Sequence, residues 1–321
     1  MNILITGITG FVGSHLAEYC LKMPDVKVYG TVFSHHLGDE MDRIKHIQDK
    51  VTLIECNLIN RVAAAKAIGK ASPDVIFHLA AQSFVPTSWK SPEDTLFNNI
   101  FSELNIFEVV RELEINPVIV IACSSEEYGL ISENELPIKE SNPLRPLSPY
   151  AVSKITQEML AFQYHQSFGL KTVLTRFFNI EGPGRGQDFV ASNFAKQIAE
   201  IEKGKKEPKV FVGNLEAKRD FTDIRDVVKA YWLASQKCEY GTPYNVCSGK
   251  TWTMQEVLDI LMKLSTAKNI EVCPDQDRMR PSDVRVLLGD NTKFQEATQW
   301  SPTLSFEKTM EDLLNYWRDR V

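Results

Sequence analysis

Residues 2–13 read NILITGITGFVG, a short apolar run followed by three glycines spaced three apart. The run 2–6 predicts a buried strand, and Gly7, Gly10 and Gly13 predict a tight turn that opens a helix. Such a turn lets backbone N–H groups and a helix N-terminus approach a pyrophosphate. A turn without a ligand would need the same glycines, but their position after a strand and inside a strand–helix–strand unit favours a dinucleotide site.

The rest of the first half alternates β-branched runs with amphipathic stretches. Strands are predicted at 26–33, 51–56, 74–80, 117–124 and 171–177. Helices are predicted at 13–22, 61–70, 92–113 and 149–167. This alternation is typical of an α/β fold with a Rossmann-type, doubly wound parallel sheet that carries helices on both faces.

Beyond residue 178 the order becomes irregular. Loop signals separate predicted helices from short strands such as VFVG and YNVC, and the helices lie near 188–203, 223–236, 253–265 and 306–319. We expect a dinucleotide-binding domain over 1–178 and a smaller α/β C-terminal lobe over 179–321. Some segments of the second range are expected to return to the first domain.

Composition narrows the class of protein. The chain has 321 residues, of which 43% are hydrophobic and 24% charged, as in soluble globular proteins. A net charge of −6 argues against non-specific nucleic-acid binding. No window approaches the roughly 20 apolar residues that span a bilayer, so we expect a cytoplasmic protein without a membrane partner. Six dispersed cysteines without Cys-x-x-Cys spacing predict reduced thiols and no metal site.

A tyrosine and a lysine at 150 and 154 form the first catalytic candidate. They lie four apart in a helix that Ser148 and Pro149 are expected to start, so both side chains share one face. An ammonium group beside a phenol stabilises the phenolate, which predicts that Lys154 lowers the pKa of Tyr150 from its usual value of about 10. The pair could then transfer a proton near neutral pH.

Residues 124–126 follow the fifth predicted strand, at the edge where open α/β sheets bind ligands. The hydroxyl of Ser124 could hydrogen-bond a substrate oxygen as charge develops on it. If the backbone stays extended, successive side chains alternate faces, so only one of Glu126 and Glu127 should reach the cleft. Strand-capping serines beside solvated glutamates are the alternative interpretation.

The cofactor choice depends on the end of the second strand. An acidic residue there would bind the ribose hydroxyls of NAD, and an arginine would bind the extra phosphate of NADP. Residues 31–36 read TVFSHH and offer neither group. The missing carboxylate removes a repulsion against NADP, which slightly favours NADP over NAD.

Taken together, these residues resemble the extended short-chain dehydrogenase/reductase family. The segments that carry the resemblance are TGITGFVG (6–13), HLAAQSFVPTSW (78–89), SSEEYG (124–129), RFFN (176–179) and RDFTDIRDV (219–227). Within that family, GNLEAKRDFTD (213–223) and RMRPSDVRVLLGD (278–290) are similar to GDP-mannose 4,6-dehydratases and GDP-4-keto-6-deoxy-D-mannose reductases. The resemblance covers nearly the whole chain and implies a GDP-sugar substrate bound mainly by the second lobe.

The resemblance also assigns roles to residues. It implies catalysis by Ser124, Glu126, Tyr150 and Lys154. It implies cofactor binding by Gly7, Thr9, Gly10, Phe11, Gly13, Asn57, Leu58, Leu79, Ala80, Ala81, Asn99, Tyr150, Lys154 and Phe177. It implies substrate binding by Ser83, Ser124, Ser125, Asn179, Arg185, Arg219, Arg280 and Asp283. It further implies a homodimer formed through the helices near 92–113 and 149–167, although packing on the sheet would explain their apolar positions equally well.

Two reactions fit this set of residues. A 4-keto reductase needs a hydride and one proton donor, which Tyr150 and Lys154 supply, and its product would be GDP-6-deoxy-D-mannose. A 4,6-dehydratase also needs a threonine and a carboxylate base in the segment aligned with 124–126. Glu126 occupies the carboxylate position, but serine replaces the threonine, which favours the reductase. The pair Ser102-Glu103 also departs from the Gly-Thr that the resemblance leads one to expect.

Overall fold

Residues 1–33, 41–278 and 284–321 are described by the computed structural model of the chain. Numbered in chain order within these residues, the helices are α1 Phe11–Cys20, α2 Arg61–Ala71, α3 Val85–Lys90, α4 Pro92–Glu112, α5 Pro149–Phe168, α6 Val190–Glu202, α7 Ile224–Lys237, α8 Met254–Leu264, α9 Thr292–Thr298 and α10 Phe306–Arg318. The strands are β1 Asn2–Thr6, β2 Lys27–Val32, β3 Thr52–Glu55, β4 Val75–His78, β5 Val118–Ser124, β6 Lys171–Phe177, β7 Asn179–Glu181, β8 Lys209–Val212, β9 Lys218–Asp223, β10 Pro243–Val246, β11 Thr251–Thr253, β12 Glu271–Pro274 and β13 Val286–Leu287.

Seven of the described strands form one parallel sheet in the order β10-β6-β5-β4-β1-β2-β3. β1 lies inside this sheet, and its side chains alternate between two cores. Ile3 and Ile5 pack with residues of α1 and α7, whereas Leu4 packs with residues of α2, α4 and α5. A sheet with helices on both faces buries both sides of each strand, which explains the continuous apolar runs. The prediction of a doubly wound parallel sheet is confirmed.

The C-terminal half divides between this sheet and a second lobe. In the lobe, α6, α8 and α10 enclose an apolar core with β8 and β9, and β9 pairs with β7, β11 and β13. Two segments beyond residue 178 belong to the first layer: α7 packs against α1, and β10 pairs in parallel with β6 through Tyr244 opposite Thr175.

The bounds of the described helices follow the sequence periodicity closely, with two additions. The sequence analysis did not predict α3 or α9, because helices of six and seven residues show too few turns for a periodic signal. No helix in the described ranges combines the length and apolar character needed to cross a bilayer.

The turn between β1 and α1 depends on its glycines. Gly7 adopts a φ of 67°, in the left-handed region that favours glycine. A Cβ atom on Gly13 would lie 2.3 Å from the carbonyl oxygen of Gly7, because the first turn of α1 sits directly on the end of β1. The glycines therefore set how closely the helix approaches the strand.

Replacing Gly13 with alanine should lower the free energy of unfolding by about 2 kcal/mol, because an atom inserted against rigid backbone forces a shift. Gly69→Ala is the matched control. Gly69 lies within α2 with open space around its missing side chain, so alanine there should raise stability by about 0.5–1 kcal/mol. Urea unfolding of the two variants measures both changes, and equal effects would contradict the close approach at Gly13.

Candidate active site

A cavity of about 550 Å³ lies along the carboxyl ends of the parallel strands. Its wall takes residues from the ends of β1 to β6, which is where open α/β sheets bind ligands. The glycine turn lies on this wall, and so do Tyr150 and Lys154. One chamber therefore holds both the proposed phosphate site and the proposed catalytic pair.

Most residues predicted for the site line this chamber. They are Gly7, Thr9, Gly10, Phe11, Gly13, Asn57, Leu58, Leu79, Ala80, Ala81, Ser83, Ser124, Ser125, Glu126, Tyr150, Lys154, Phe177, Asn179 and Arg185.

Two predicted residues lie off the cavity wall. Asn99 is fully buried and exchanges hydrogen bonds with the backbone of Gln82, at 2.8 and 3.1 Å, and its Nδ2 also donates to Ser153 Oγ at 2.9 Å. It therefore holds the segment after β4 in place instead of facing a ligand. Arg219 donates from Nη1 to the carbonyl oxygen of Val284 at 2.6 Å. Arg280, Asp283 and residues 34–36 lie outside the described residues.

Two arginine side chains, Arg43 and Arg185, lie near the glycine turn. Arg43 donates from Nη1 to the carbonyl oxygen of Thr9 and from Nε to that of Gly184, at 3.4 Å each. The guanidinium carbon of Arg185 lies 3.4 Å from the ring centroid of Phe189 and 5.1 Å from that of Phe11. Sequence reasoning missed Arg43, because it lies on no strand end and 141 residues from Gly184.

These features fit a dinucleotide. The turn has no side chain where a Cβ on Gly7 would lie 3.1 Å from Cα of Ala80. The N-terminus of α1 opens at Phe11, and two guanidinium groups stand nearby to balance phosphate charge. Gly7, Gly10 and Gly13 would hold the pyrophosphate, and Tyr150 and Lys154 would face the nicotinamide end.

The start of α5 positions the two predicted catalytic residues, Tyr150 and Lys154. Ser148 caps the helix by accepting a hydrogen bond from the backbone N–H of Ala151 at 3.1 Å. Tyr150 then lies in the first turn, where its phenol hydrogen-bonds the hydroxyl of Ser124. Lys154 follows one turn later and donates from Nζ to the carbonyl oxygen of Ala122 at 2.8 Å. Its Nζ lies 5.9 Å from the Tyr150 ring centroid.

The prediction of an acidified phenol is wrong for this structure. Burial raises the pKa of Tyr150 above its usual value, and Glu126 and Glu127 add to that rise. The hydrogen bond to Ser124 and the charge of Arg185 oppose it but are smaller influences. Burial also lowers the pKa of Lys154. The phenol is therefore protonated near neutral pH.

The two glutamates after β5 lie on opposite sides of the chain. Glu126 lines the cavity, whereas Glu127 is fully buried behind it and accepts a hydrogen bond from the backbone N–H of Ser124 at 2.8 Å. The separation arises from a 3-10 turn over Ser125–Glu127 and not from the extended backbone that the sequence analysis assumed.

Behind the site, Cys123, Glu127 and Glu158 bring one sulfur and two carboxyl groups within 4.8 Å of one another. The guanidinium of Arg176 lies among them. It donates from Nε to Glu158 at 2.7 Å and lies 3.6 Å from Glu127. The guanidinium of Arg176 thus already balances the negative charge with which these carboxyl groups would bind a metal ion.

Further polar groups lie on the cavity wall or next to it. Gln82 lines it, and its Oε1 is buried without a hydrogen-bond partner in the described structure. Burial raises the pKa of Glu181 to about 7, although the charge of Arg185 opposes the rise. Asn179 lies on the same wall. Sequence reasoning missed Gln82, since a lone glutamine after a strand carries no distinctive signal.

Comparison with known proteins identifies relatives along the whole chain. The family model described as GDP-mannose 4,6 dehydratase matches residues 4–313. GDP-6-deoxy-D-mannose reductase of Pseudomonas aeruginosa is 30% identical over 320 residues, covering 100% of this chain and 98% of the relative. GDP-mannose 4,6-dehydratase of Vibrio cholerae is 29% identical, covering 97% and 92%. The solved structure of RMD from P. aeruginosa complexed with NADPH has a TM-score of 0.87 and 28% identity, with both chains fully covered.

Proposed function

The chain belongs to the GDP-mannose 4,6-dehydratase family of extended short-chain dehydrogenases/reductases, and from that premise we propose that it reduces the 4-keto group of GDP-4-keto-6-deoxy-D-mannose to GDP-6-deoxy-D-mannose. Its relatives are nucleotide-sugar dehydratases and reductases, so the chain is an oxidoreductase-type enzyme that uses NAD(P). Within that class we propose NADPH as the electron donor. The absence of a carboxylate from the described end of β2 and the guanidinium of Arg43 beside the glycine turn support it.

The observation that carries the proposal is the protonated phenol of Tyr150 against the hydroxyl of Ser124 on the cavity wall. A ketone reduction consumes one hydride and one proton, and the proton must come from a group that holds it before the reaction begins. A dehydratase begins with an oxidation, for which the same phenol would first have to lose its proton. Serine at position 124, where the dehydratases carry threonine, favours the reductase.

Gly7, Gly10 and Gly13 would hold a reduced dinucleotide, which would supply the hydride for C4 of the sugar in the proposed reaction. Ser124 donates a hydrogen bond to the 4-oxygen and orients the carbonyl. Tyr150 gives its phenolic proton to the alkoxide as charge develops. Lys154 stabilises the phenolate until solvent returns a proton.

On the nucleotide-sugar side, Arg185 and Asn179 are proposed to bind the diphosphate. A guanidinium fork matches phosphate oxygens, and the aromatic rings that flank Arg185 restrict its motion. Ser83 and Ser125 are proposed to bind the sugar hydroxyls from the same wall.

One observation supports the 4,6-dehydratase as the second candidate. Glu126 lines the cavity and could act as the base that removes the C5 proton before water is lost. The proposal of reduction therefore needs an assay in which the two reactions give different signals.

That assay uses two substrates in parallel. We expect GDP-4-keto-6-deoxy-D-mannose with NADPH to give loss of absorbance at 340 nm and a product two hydrogens heavier. GDP-mannose alone should stay unchanged by mass. Loss of water from GDP-mannose without net cofactor consumption would instead identify the dehydratase, and no conversion of either sugar would contradict both.

Replacing Tyr150 with phenylalanine should lower kcat by about a hundredfold or more, because the proton donor is lost while the ring still fills its place. The Kd of the nucleotide sugar should change little. Tyr164→Phe is the matched control. Tyr164 lies on the same helix, off the cavity wall, and its hydroxyl hydrogen-bonds Glu108. Near-normal turnover by Tyr150→Phe would contradict the assigned donor.

We also propose that the chain forms a homodimer through α4 and α5. Phe97 and Phe101 on α4 lie one turn apart with ring centroids 4.6 Å from each other. Val152, Met159 and Phe162 recur at helical spacing on α5, and these five side chains are 42–49% exposed. Large apolar side chains gathered on one exposed surface are typical of an interaction site.

The double variant Phe101→Glu and Phe162→Glu should convert the protein to a monomer. The two new carboxylates would be buried in the interface without a positive partner. Phe211→Glu, at an exposed phenylalanine of the second lobe, should leave the dimer intact. Sedimentation velocity measures the mass of each variant. A monomeric wild-type chain, or a dimer that survives the double change, would rule out this interface.

A further inference from the structure

Glu127 lies behind the cavity wall but holds the backbone of a residue on that wall. Its side chain is fully buried, and its Oε1 accepts a hydrogen bond from the backbone N–H of Ser124 at 2.8 Å. In return, Ser124 Oγ accepts a hydrogen bond from the backbone N–H of Glu126 at 3.2 Å. The two bonds form a reciprocal cap around the 3-10 turn over Ser125–Glu127. Ser124 is therefore held both at its backbone and at its hydroxyl.

This cap determines how the Ser124 hydroxyl can be used. A hydroxyl group has one donor hydrogen and two acceptor lone pairs. The N–H of Glu126 occupies one lone pair. The hydrogen and the other lone pair then remain for the phenol of Tyr150, which hydrogen-bonds Ser124, and for a ligand oxygen in the cavity.

The turn is also fastened to the segment that leads into α5, the helix that carries Tyr150. The N–H of Leu130 donates to the carbonyl oxygen of Arg145 at 3.0 Å, and the N–H of Arg145 donates to that of Tyr128 at 3.2 Å. The contact is close, because a Cβ atom on Gly129 would lie 1.9 Å from the carbonyl oxygen of Arg145. A shift of the Ser124 backbone within the turn would therefore move its hydroxyl relative to Tyr150.

Arg176 supports the carboxyl group of Glu127 but does not depend on it. The Nε atom of Arg176 lies 3.6 Å from Glu127 Oε2. The same guanidinium donates from Nε to Glu158 at 2.7 Å and from Nη1 to the Tyr128 hydroxyl at 2.8 Å. Because Arg176 keeps these two partners when Glu127 is replaced, an apolar side chain at 127 leaves no unpaired buried charge.

The hydrogen bond from Ser124 does not require a charged Glu127. Burial raises the pKa of Glu127, and Glu158 adds to the rise, whereas Arg176 and the bond from Ser124 oppose it. A protonated carboxyl group still accepts a hydrogen bond through its carbonyl oxygen. The cap therefore holds in either protonation state, and the amide oxygen of a glutamine can replace it.

We propose that Glu127 is a positioning residue that places the Ser124 hydroxyl against Tyr150 and the substrate carbonyl, without touching the substrate itself. The proposal rests on the role proposed above for Ser124 at the 4-oxygen, but not on which of the two reactions follows. Without the carboxyl group, the buried N–H of Ser124 loses its acceptor. An unpaired buried donor is costly, so the backbone would turn towards another acceptor and carry the hydroxyl with it.

The test is a double-mutant cycle of Ser124→Ala, Glu127→Met and both changes together, run with the sugar that the wild-type chain converts. Methionine fills a similar volume without an acceptor oxygen. We expect Glu127→Met to lower kcat about tenfold or more, because a misplaced hydroxyl stabilises the developing charge less well. KM for the sugar should change less than about twofold.

The cycle separates positioning from a general loss of stability. Without the Ser124 hydroxyl there is nothing for Glu127 to position, so the double variant should match the kcat of Ser124→Ala within about twofold. Multiplied losses in the double variant would overturn the proposal. Glu127→Ala gives the same cycle should the methionine variant fail to fold.

Glu127→Gln should restore kcat to within about threefold of wild type, because its amide oxygen can accept from Ser124. A glutamine variant as slow as the methionine variant would count against the cap. Glu256→Met is the matched control. Glu256 closes the same kind of cap on α8, accepting from the N–H of Thr253 at 2.7 Å, away from the cavity wall. It should lower stability and leave kcat unchanged.

Hydrogen exchange tests the cap without any substrate. NMR of the Ser124 amide, assigned with Ser124→Ala, should show exchange at least about tenfold faster in Glu127→Met than in wild type or Glu127→Gln. Equal exchange rates in all three proteins would overturn the proposal. If the wild-type chain converts neither sugar, the proposed function fails, and the exchange rates still decide whether Glu127 holds Ser124.

Discussion

The remaining elements of the fold depend on the close contact between the first turn of α1 and the carbonyl oxygen of Gly7. A side chain at Gly13 would push the helix off the strand, and one at Gly7 would meet the backbone of Ala80 at the end of β4. Both positions therefore need glycine, because a side chain there would collide with neighbouring backbone of the protein itself. The same absence of side chains leaves backbone N–H groups and a helix N-terminus open to an anion. Packing and phosphate binding therefore impose one requirement on these positions.

From that turn, the cavity leads along the sheet edge to a site whose chemistry is governed by burial. Burial away from water raises the pKa of Tyr150, so the phenol keeps its proton. The same burial lowers the pKa of Lys154 and so disfavours its charged form. A proton donor benefits from this environment before the reaction, whereas its conjugate base needs a cation afterwards.

The sequence predicted those parts of the molecule whose signals are local. Strands β1 to β6 and the long helices follow from periodicity, and the spacing of Tyr150 and Lys154 follows from one helical turn. Contacts between distant residues were not predictable: Arg43 reaches the cavity rim through a residue 141 positions away, and β10 joins the main sheet after a long excursion. The predicted direction of the Tyr150 pKa shift was wrong, because the sequence shows the nearby lysine but not how deeply the phenol is buried.

In the proposed reaction, this chamber transfers hydrogen to the C4 atom of a nucleotide-bound keto sugar. The most direct measurement supplies NADPH that carries deuterium at its transferable position and locates the label by NMR of the product. The account predicts one deuterium at C4 of the sugar, from one of the two C4 faces of the nicotinamide and not from the other. Product formed without deuterium at C4 would contradict it.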